Sequence, residues 1–219
     1  MVISETAYLL LLLLIVAERA FEVIISRRNA RIAFEKGAVE SGREHYRIMV
    51  GMHALFLVAC ALESLLDVHD DWRTLSMLAL IATFAAEFIR YGAVVTLGEH
   101  WNTRIIVRPD TAPVTRGIYR WMRHPNYVAV SLEIVALPLI RICWVTAIIF
   151  TLANAWVLSK RIPAEEAALG ESYAAAFAKV ARFVPMRRAM AIDPAPEKSP
   201  PKEKPRRKRA KKKRRGKKG

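Results

Sequence analysis

Apolar residues along the chain gather into blocks near 5–25, 47–66, 74–97 and 127–158, interrupted by short polar stretches. Each block matches or exceeds the roughly 20 residues that an α-helix needs to cross a bilayer core. The last block, about 32 residues, is too long for one ordinary crossing, and Pro138 followed by Arg141 falls near its middle. A tight helical hairpin, 127–140 and 141–158, accounts for both features. Nothing in the chain repeats, and nothing alternates with the period of two that strands need. The pattern therefore predicts an all-α, polytopic integral membrane protein with about five transmembrane helices, the last two a tight hairpin. A cytosolic C-terminal helix is expected to follow them.

Charge gives the topology and sets one segment apart. Lys and Arg close to the membrane collect on the cytoplasmic side. Arg27, Arg28, Arg31, Lys36, Arg43 and Arg47 lie between the first and second blocks, and Arg104, Arg108, Arg116, Arg120 and Arg123 between the third and fourth. The intervening loop, 67–73, is acidic with a single Arg. Five spans with the N-terminus outside satisfy every loop, in a bacterial inner or plasma membrane. The net charge of +15 would suit a nucleic-acid binder, but residues 191–219 hold 14 Lys/Arg against three acids, leaving +4 for 1–190. That Pro- and Lys/Arg-rich tail is expected to be disordered, with the domain boundary near Met190. It has no aromatic residue to stack on bases, so nucleic acid is not an expected partner, while its charge leaves contact with anionic lipid open. Glu5, rather than a basic cluster, precedes the first apolar run, and no small-residue cleavage site follows, so the first helix is expected to be retained. Cys60 and Cys143 lie within apolar blocks with no metal-ligand spacing, and neither a disulfide nor a metal site is expected.

Ionisable residues inside apolar blocks are costly unless paired or near water. Here they are Glu18, Glu22, His53, Glu63, Glu87, Arg90 and Glu133. Singly, each reads as an interhelical pair or an end residue; as a set they suggest a polar cavity between helices.

The most specific stretch runs directly into the fourth span: Gly117-Ile118-Tyr119-Arg120-Trp121-Met122-Arg123-His124-Pro125-Asn126-Tyr127. Pro125 biases His124 away from helical geometry, so the loop ends by presenting ring nitrogens where a helix starts. Downstream, Arg161-Ile162-Pro163-Ala164-Glu165-Glu166-Ala167-Ala168-Leu169 follows the hairpin. Arg161 and Glu165 share one helix face, and Glu166 turns about 140° away from Arg161. Pro163 between them threatens to kink the helix. Outside any motif, Arg161 and Glu165 would read as an exposed ion pair, and the Tyr, Trp and Arg residues as an interfacial belt.

Together, in this order, the two stretches resemble the signatures of the isoprenylcysteine carboxyl methyltransferase family. The resemblance spans about 98–185. Three further stretches, 26–31, 97–104 and 132–139, are similar to a bacterial branch that O-methylates alkylpyrones and related phenolic lipids. The resemblance implies an S-adenosyl-L-methionine-dependent O-methyltransferase with a lipophilic small-molecule acceptor. Carboxyl methylation of a prenylcysteine-like substrate is the alternative. Within the family, Glu165 corresponds to a cofactor contact and Arg161 to the residue that holds the acceptor; by their chemistry His124 and Asn126 can hydrogen-bond the cofactor and Tyr119 and Tyr127 offer it aromatic faces, with Pro125 completing the cofactor-binding set. A carboxylate or acidic enol arrives ionised, while an ordinary phenol needs a base, for which His124 and Glu166 are the candidates. No strand followed by G-x-G-x-x-G occurs, so the soluble Rossmann-type solution is not expected. An NADPH-dependent membrane reductase, similar in its C-terminal motif, and a membrane adaptor working through its basic tail are the remaining readings.

Overall fold

The computed structural model describes residues 2–66, 72–108 and 111–184. The tail 191–219, the boundary near Met190 and most of the acidic loop 67–73 lie outside the described residues. Five helices make up most of the fold: α1 (Glu5–Glu35), α2 (Arg43–Ser64), α3 (Arg73–Leu97), α4 (Pro125–Leu139) and α5 (Trp144–Ala176). Two three-residue strands, β1 (Val39–Ser41) and β2 (Ile105–Val107), pair antiparallel, with Glu40 opposite Ile106. Three residues are too few for a readable alternation, so this ribbon between the two basic connections is an addition to the all-helical expectation.

Among the described residues, three helices are long and apolar enough to cross a membrane: Arg43–Ser64, Arg73–His100 and Trp144–Ala176. Helix α4 is apolar but shorter, and α1, though 31 residues long, carries Glu18, Arg19 and Glu22 in its middle. The outer surface is apolar, with Phe88 81% and Val95 77% exposed alongside Leu13, Phe84, Ile148 and Leu152. So large an apolar surface suits a hydrocarbon surround rather than water.

Packing centres on α3 and α4. The buried face of α3 runs Ser76, Ala79, Thr83, Ala86, Arg90, Ala93, alternating steps of three and four. Small residues on such a stripe let two backbones approach closely where no hydrophobic effect drives association. Against them α4 buries Ala129, Val130, Glu133, Ile134, Ala136 and Leu137.

The α4–α5 turn is itself interior: Leu137, Pro138, Ile140, Ile142 and Cys143 are all nearly inaccessible. Ile142 has a φ of 61°, a left-handed conformation that is unfavourable for a β-branched residue. Backbone polar groups in such a place must be satisfied by protein. Tyr8 Oη donates to Leu137 O (3.1 Å), Ser76 Oγ to Ile140 O (2.6 Å) and Arg141 Nη2 to Ser64 O (3.4 Å). At the start of α5 the Glu63 carboxylate accepts from Val145 N (3.0 Å), Thr146 N (2.7 Å) and Thr146 Oγ1 (2.6 Å), capping the orphan amides of the first turn. Thus Glu63, one of the ionisable residues counted toward a polar cavity, is a helix cap.

Two boundaries differ from the pattern. Helix α1 continues past residue 25 to Glu35, its extra turns being polar and outside the apolar block. The separate helix expected after Leu158 is a continuation of α5, which passes Pro163 and breaks only at Gly170 (φ 73°, ψ −166°), a conformation open to glycine.

Replacing Ser76 by Ala leaves Ile140 O short of a donor in a buried turn. The expected loss is about 1–3 kcal/mol, read from reversible unfolding in detergent. Stability equal to wild type would show that the turn does not need this bond.

Candidate functional site

The site is assembled by anchoring a long loop to helices on three sides. Asn29 Nδ2 on α1 donates to Gly98 O (3.0 Å) and Trp101 O (2.9 Å). One turn earlier, Ser26 Oγ donates to Asn102 Oδ1 (2.7 Å) and accepts from Thr103 N (3.0 Å). Arg104 pairs with Glu40 across the β1–β2 ribbon. Hydrogen bonding from Arg104 comes first in holding the Glu40 carboxyl below its ordinary range. Farther along, Gly117 has a φ of 55° and lies so close to α3 that a Cβ there would stand 2.4 Å from Thr96 Oγ1. Only glycine lets the 3₁₀ turn Gly117–Arg120 sit against α3, and this turn carries Tyr119.

His124 is the N-cap of α4, with Pro125 as the first helical residue, a position where the missing amide does no harm. The chain after α5 returns to hold it: Arg123 N donates to Ala181 O (3.0 Å), His124 N to Arg182 O (3.1 Å) and Arg123 Nε to Val180 O (2.6 Å). The His124 ring stacks on Tyr127 at 5.3 Å and 29°.

Helix α5 reaches the same place from the other side of the hairpin. Arg161, 4% exposed, donates from Nε to Tyr127 Oη (3.0 Å) and from Nη2 to Thr103 O (2.6 Å). Tyr127 Oη donates to Glu165 Oε2. Arg161 and Glu165 therefore keep a common face in spite of Pro163. Glu166 faces elsewhere, hydrogen-bonded to His124 Nε2 (3.1 Å) and to Arg182 through Nε (3.0 Å) and Nη2 (2.6 Å). Burial pushes its carboxyl up, but the hydrogen bonds from Arg182 and then His124 outweigh that and hold it below the usual range. Burial likewise raises the phenols of Tyr119 and Tyr173, which keeps both as hydroxyl donors.

Tyr119, His124, Asn126, Tyr127, Arg161 and Glu165 all line one cavity of about 1400 Å³, which extends between α1 and α2 toward Leu12 and Leu57. Pro125 and Glu166 are not on its wall, and Glu166 is already engaged by Arg182 and His124, a poor disposition for a base. Beside the two motifs, the buried atoms of cavity-lining residues without a hydrogen-bond partner include Asn126 Oδ1 and Arg161 Nη1. One is an acceptor and one a donor, and buried groups of this kind call for a ligand or water.

The profile of the isoprenylcysteine carboxyl methyltransferase (ICMT) family matches residues 77–171, which include both the His124 and the Arg161 stretches. Along most of its length the chain is also similar to the uncharacterized protein YpbQ of Bacillus subtilis, 39% identical over 164 residues that cover 74% of this chain and 96% of that one. The chain belongs to the ICMT family. Among named ICMT relatives, the protein-S-isoprenylcysteine O-methyltransferase of Xenopus laevis is 30% identical over 55% of this chain and 44% of its own. Protein-S-isoprenylcysteine O-methyltransferase A of Arabidopsis thaliana is 27% identical over 60% and 71%. As an ICMT-family protein with, among the described residues, three helices able to cross a membrane, the chain is a membrane protein of a methyltransferase family.

Four contributors to this ICMT site were not singled out as site residues in the sequence. Ser26 and Asn29 lie in a stretch noted only for its resemblance to one branch. Thr103 acts through a carbonyl, which its side chain does not advertise, and Arg182 lies beyond both motifs with no spacing signal.

The Glu166 cluster fixes a pH dependence. A carboxyl lowered in the folded state contributes stability that is present above its unfolded value, about 4.3, and is lost as pH falls through the folded value. Thermal midpoints in nanodiscs should therefore fall more steeply below about pH 4.3 for wild type than for Glu166→Gln; parallel curves would count against the cluster. In Gly117→Ala the added methyl meets Thr96 and the backbone conformation is strained, so the loop should be displaced and fluorescence of the neighbouring Trp121 altered.

Proposed function

We propose that the chain is an S-adenosyl-L-methionine-dependent O-methyltransferase whose acceptor is a lipophilic molecule, an alkylpyrone or related polyketide lipid. The observation that carries this reading is the convergence of Asn126, Tyr127, Arg161 and Glu165 on one cavity that continues into an apolar wall. The residues fit the cofactor. Glu165 and the unpartnered Asn126 Oδ1 offer acceptors to its amino and hydroxyl groups, and Tyr119 and Tyr127 offer aromatic faces to a cation or an adenine. When bound, S-adenosyl-L-methionine supplies the methyl group on a positively charged sulfur.

The chain's own part is positioning and desolvation. Arg161, fixed by Thr103 O and Tyr127 Oη, keeps Nη1 for an acceptor oxyanion. That is sufficient for an acidic enol or a carboxylate, which arrives ionised. An ordinary phenol would lose its proton to His124, on the cavity wall; Glu166, off it and engaged by Arg182, serves His124 instead. Five spans with the N-terminus outside put this end of the cavity on the cytoplasmic side, in keeping with the basic connections 27–47 and 98–126. The hairpin of α4 and α5 returns Arg161 to the level of Tyr127, and the acceptor's tail enters between helices from the bilayer. Carboxyl methylation of a prenylcysteine-like substrate is the second reading, favoured by the names of the Xenopus and Arabidopsis relatives.

The test is cofactor binding by the full chain in detergent. His124→Ala and Glu165→Ala should each weaken S-adenosyl-L-methionine by about 10-fold or more, whereas Arg161→Lys should spare that affinity and lose acceptor turnover. Unchanged cofactor affinity in both alanine variants would overturn the reading, and turnover of a prenylcysteine in preference to an alkylpyrone would select the second.

A further inference from the structure

A group of charged side chains lies inside the helical bundle, on the wall of the same cavity and apart from the two motifs. Arg19 bonds Glu22 (3.0 Å) and Glu87 (2.8 Å) and stands 3.3 Å from Glu18. Arg90 pairs with Glu133. Of these, Arg19, Glu22 and Arg90 face the cavity together with His53, while Glu18, Glu87 and Glu133 stand behind them. Pairing between helices does not use up the group's capacity. Arg90 is 4% exposed, yet its Nε is 3.6 Å from Glu87 Oε2, beyond hydrogen-bond length, and has no hydrogen-bond partner. Arg19 Nε is also buried without one. His53 Nδ1 donates to Met49 O (2.8 Å), which leaves Nε2 as the ring nitrogen available to a ligand.

The position of this group along the cavity decides what it does. Ser26 holds Thr103, whose carbonyl holds Arg161, so Ser26 marks the level of the reacting end. Glu22 is one turn before Ser26 on α1, about 6 Å along the axis, and Glu133 is six residues beyond Tyr127 on α4, about 9 Å. The apolar wall of Leu12, Val16 and Leu57 lies farther on in the same direction. A long acceptor with its reacting oxygen at Arg161 must therefore pass the charged group before its tail reaches apolar surface. A purely hydrocarbon chain at that point would strip solvent from Arg19, Glu22 and Arg90 and return nothing.

We propose that Glu22, Arg90, Arg19 and His53 form a second polar subsite, which binds an uncharged hydroxyl on the acceptor's head about one helical turn from the oxygen that is methylated. The chemistry of the group selects a hydroxyl. Formally there are four carboxylates against two guanidiniums, which disfavours an anion, while the unpartnered donors Arg19 Nε and Arg90 Nε disfavour a cation. A hydroxyl donates to Glu22 and accepts from Arg90 Nε at once. The acceptor is then a lipid with a polyoxygenated ring rather than one whose reacting group leads straight into hydrocarbon. This inference rests on the methyltransferase reading for its orientation of the acceptor.

The test uses the full chain in zwitterionic nanodiscs and two probes, a long-chain alkylresorcinol and the alkylphenol of the same chain length, with equilibrium binding and methyl transfer measured for each. Wild type should bind the resorcinol about 10-fold or more tightly than the phenol, as expected for a hydrogen bond to charged groups. In Glu22→Leu the preference should fall below about 3-fold while S-adenosyl-L-methionine affinity is unchanged. Equal binding of the two probes by wild type overturns the subsite without recourse to any variant, and so does a full preference surviving in Glu22→Leu. Methyl transfer to both probes with no preference would sink the subsite alone. A resorcinol preference with no cofactor binding and no transfer would sink the methyltransferase reading and leave the subsite standing.

Discussion

The buried guanidinium of Arg161 is the tie on which the site depends. It is 4% exposed, it fixes Thr103 O with one nitrogen and Tyr127 Oη with another, and through them it joins three parts of the chain. Thr103 brings the loop after α3, itself held by Ser26 on α1, and Tyr127 brings the first turn of α4 with Glu165 bonded to the same hydroxyl. A buried charge is tolerated only with such hydrogen bonds around it. The requirement is met by a carbonyl and a phenol rather than by a direct bond to a carboxylate.

A division of labour among the buried and half-buried acids follows the same logic. Glu63 serves the backbone, capping α5. Glu166 serves His124, together with Arg182. Glu22 and Glu165 face the cavity, where a ligand can reach them. Four residues of one type thus take up three tasks, and the difference lies in what each has behind it.

Much of the fold could be read from the pattern of apolar blocks, because a membrane span is long and nearly uniform. Pro138 and Arg141 stood out for the same reason, since both are out of place in a span, and the break between α4 and α5 falls beside them. Terminal extensions such as 26–35 of α1 were not legible, being polar helix outside any membrane constraint. The β1–β2 ribbon is too short to carry a period. Within the site, the residues with distinctive side chains, His124, Tyr127, Arg161 and Glu165, stood out in sequence. Those that act through backbone or at long separation did not: Thr103 contributes a carbonyl, Ala181 and Arg182 hold residues 123 and 124 by main-chain bonds, and Gly117 matters for the side chain it lacks. Glu166 was legible as an acid but not as one already engaged, because Arg182 lies beyond both motifs.

The sheltered turn between α4 and α5 has a bearing on how the protein is made. Its carbonyls rely on Tyr8 from the first helix and Ser76 from the third, and Glu63 of the second steadies the helix that follows. All three partners leave the ribosome before the turn does. The groups that satisfy the turn are therefore already in the chain when its carbonyls emerge.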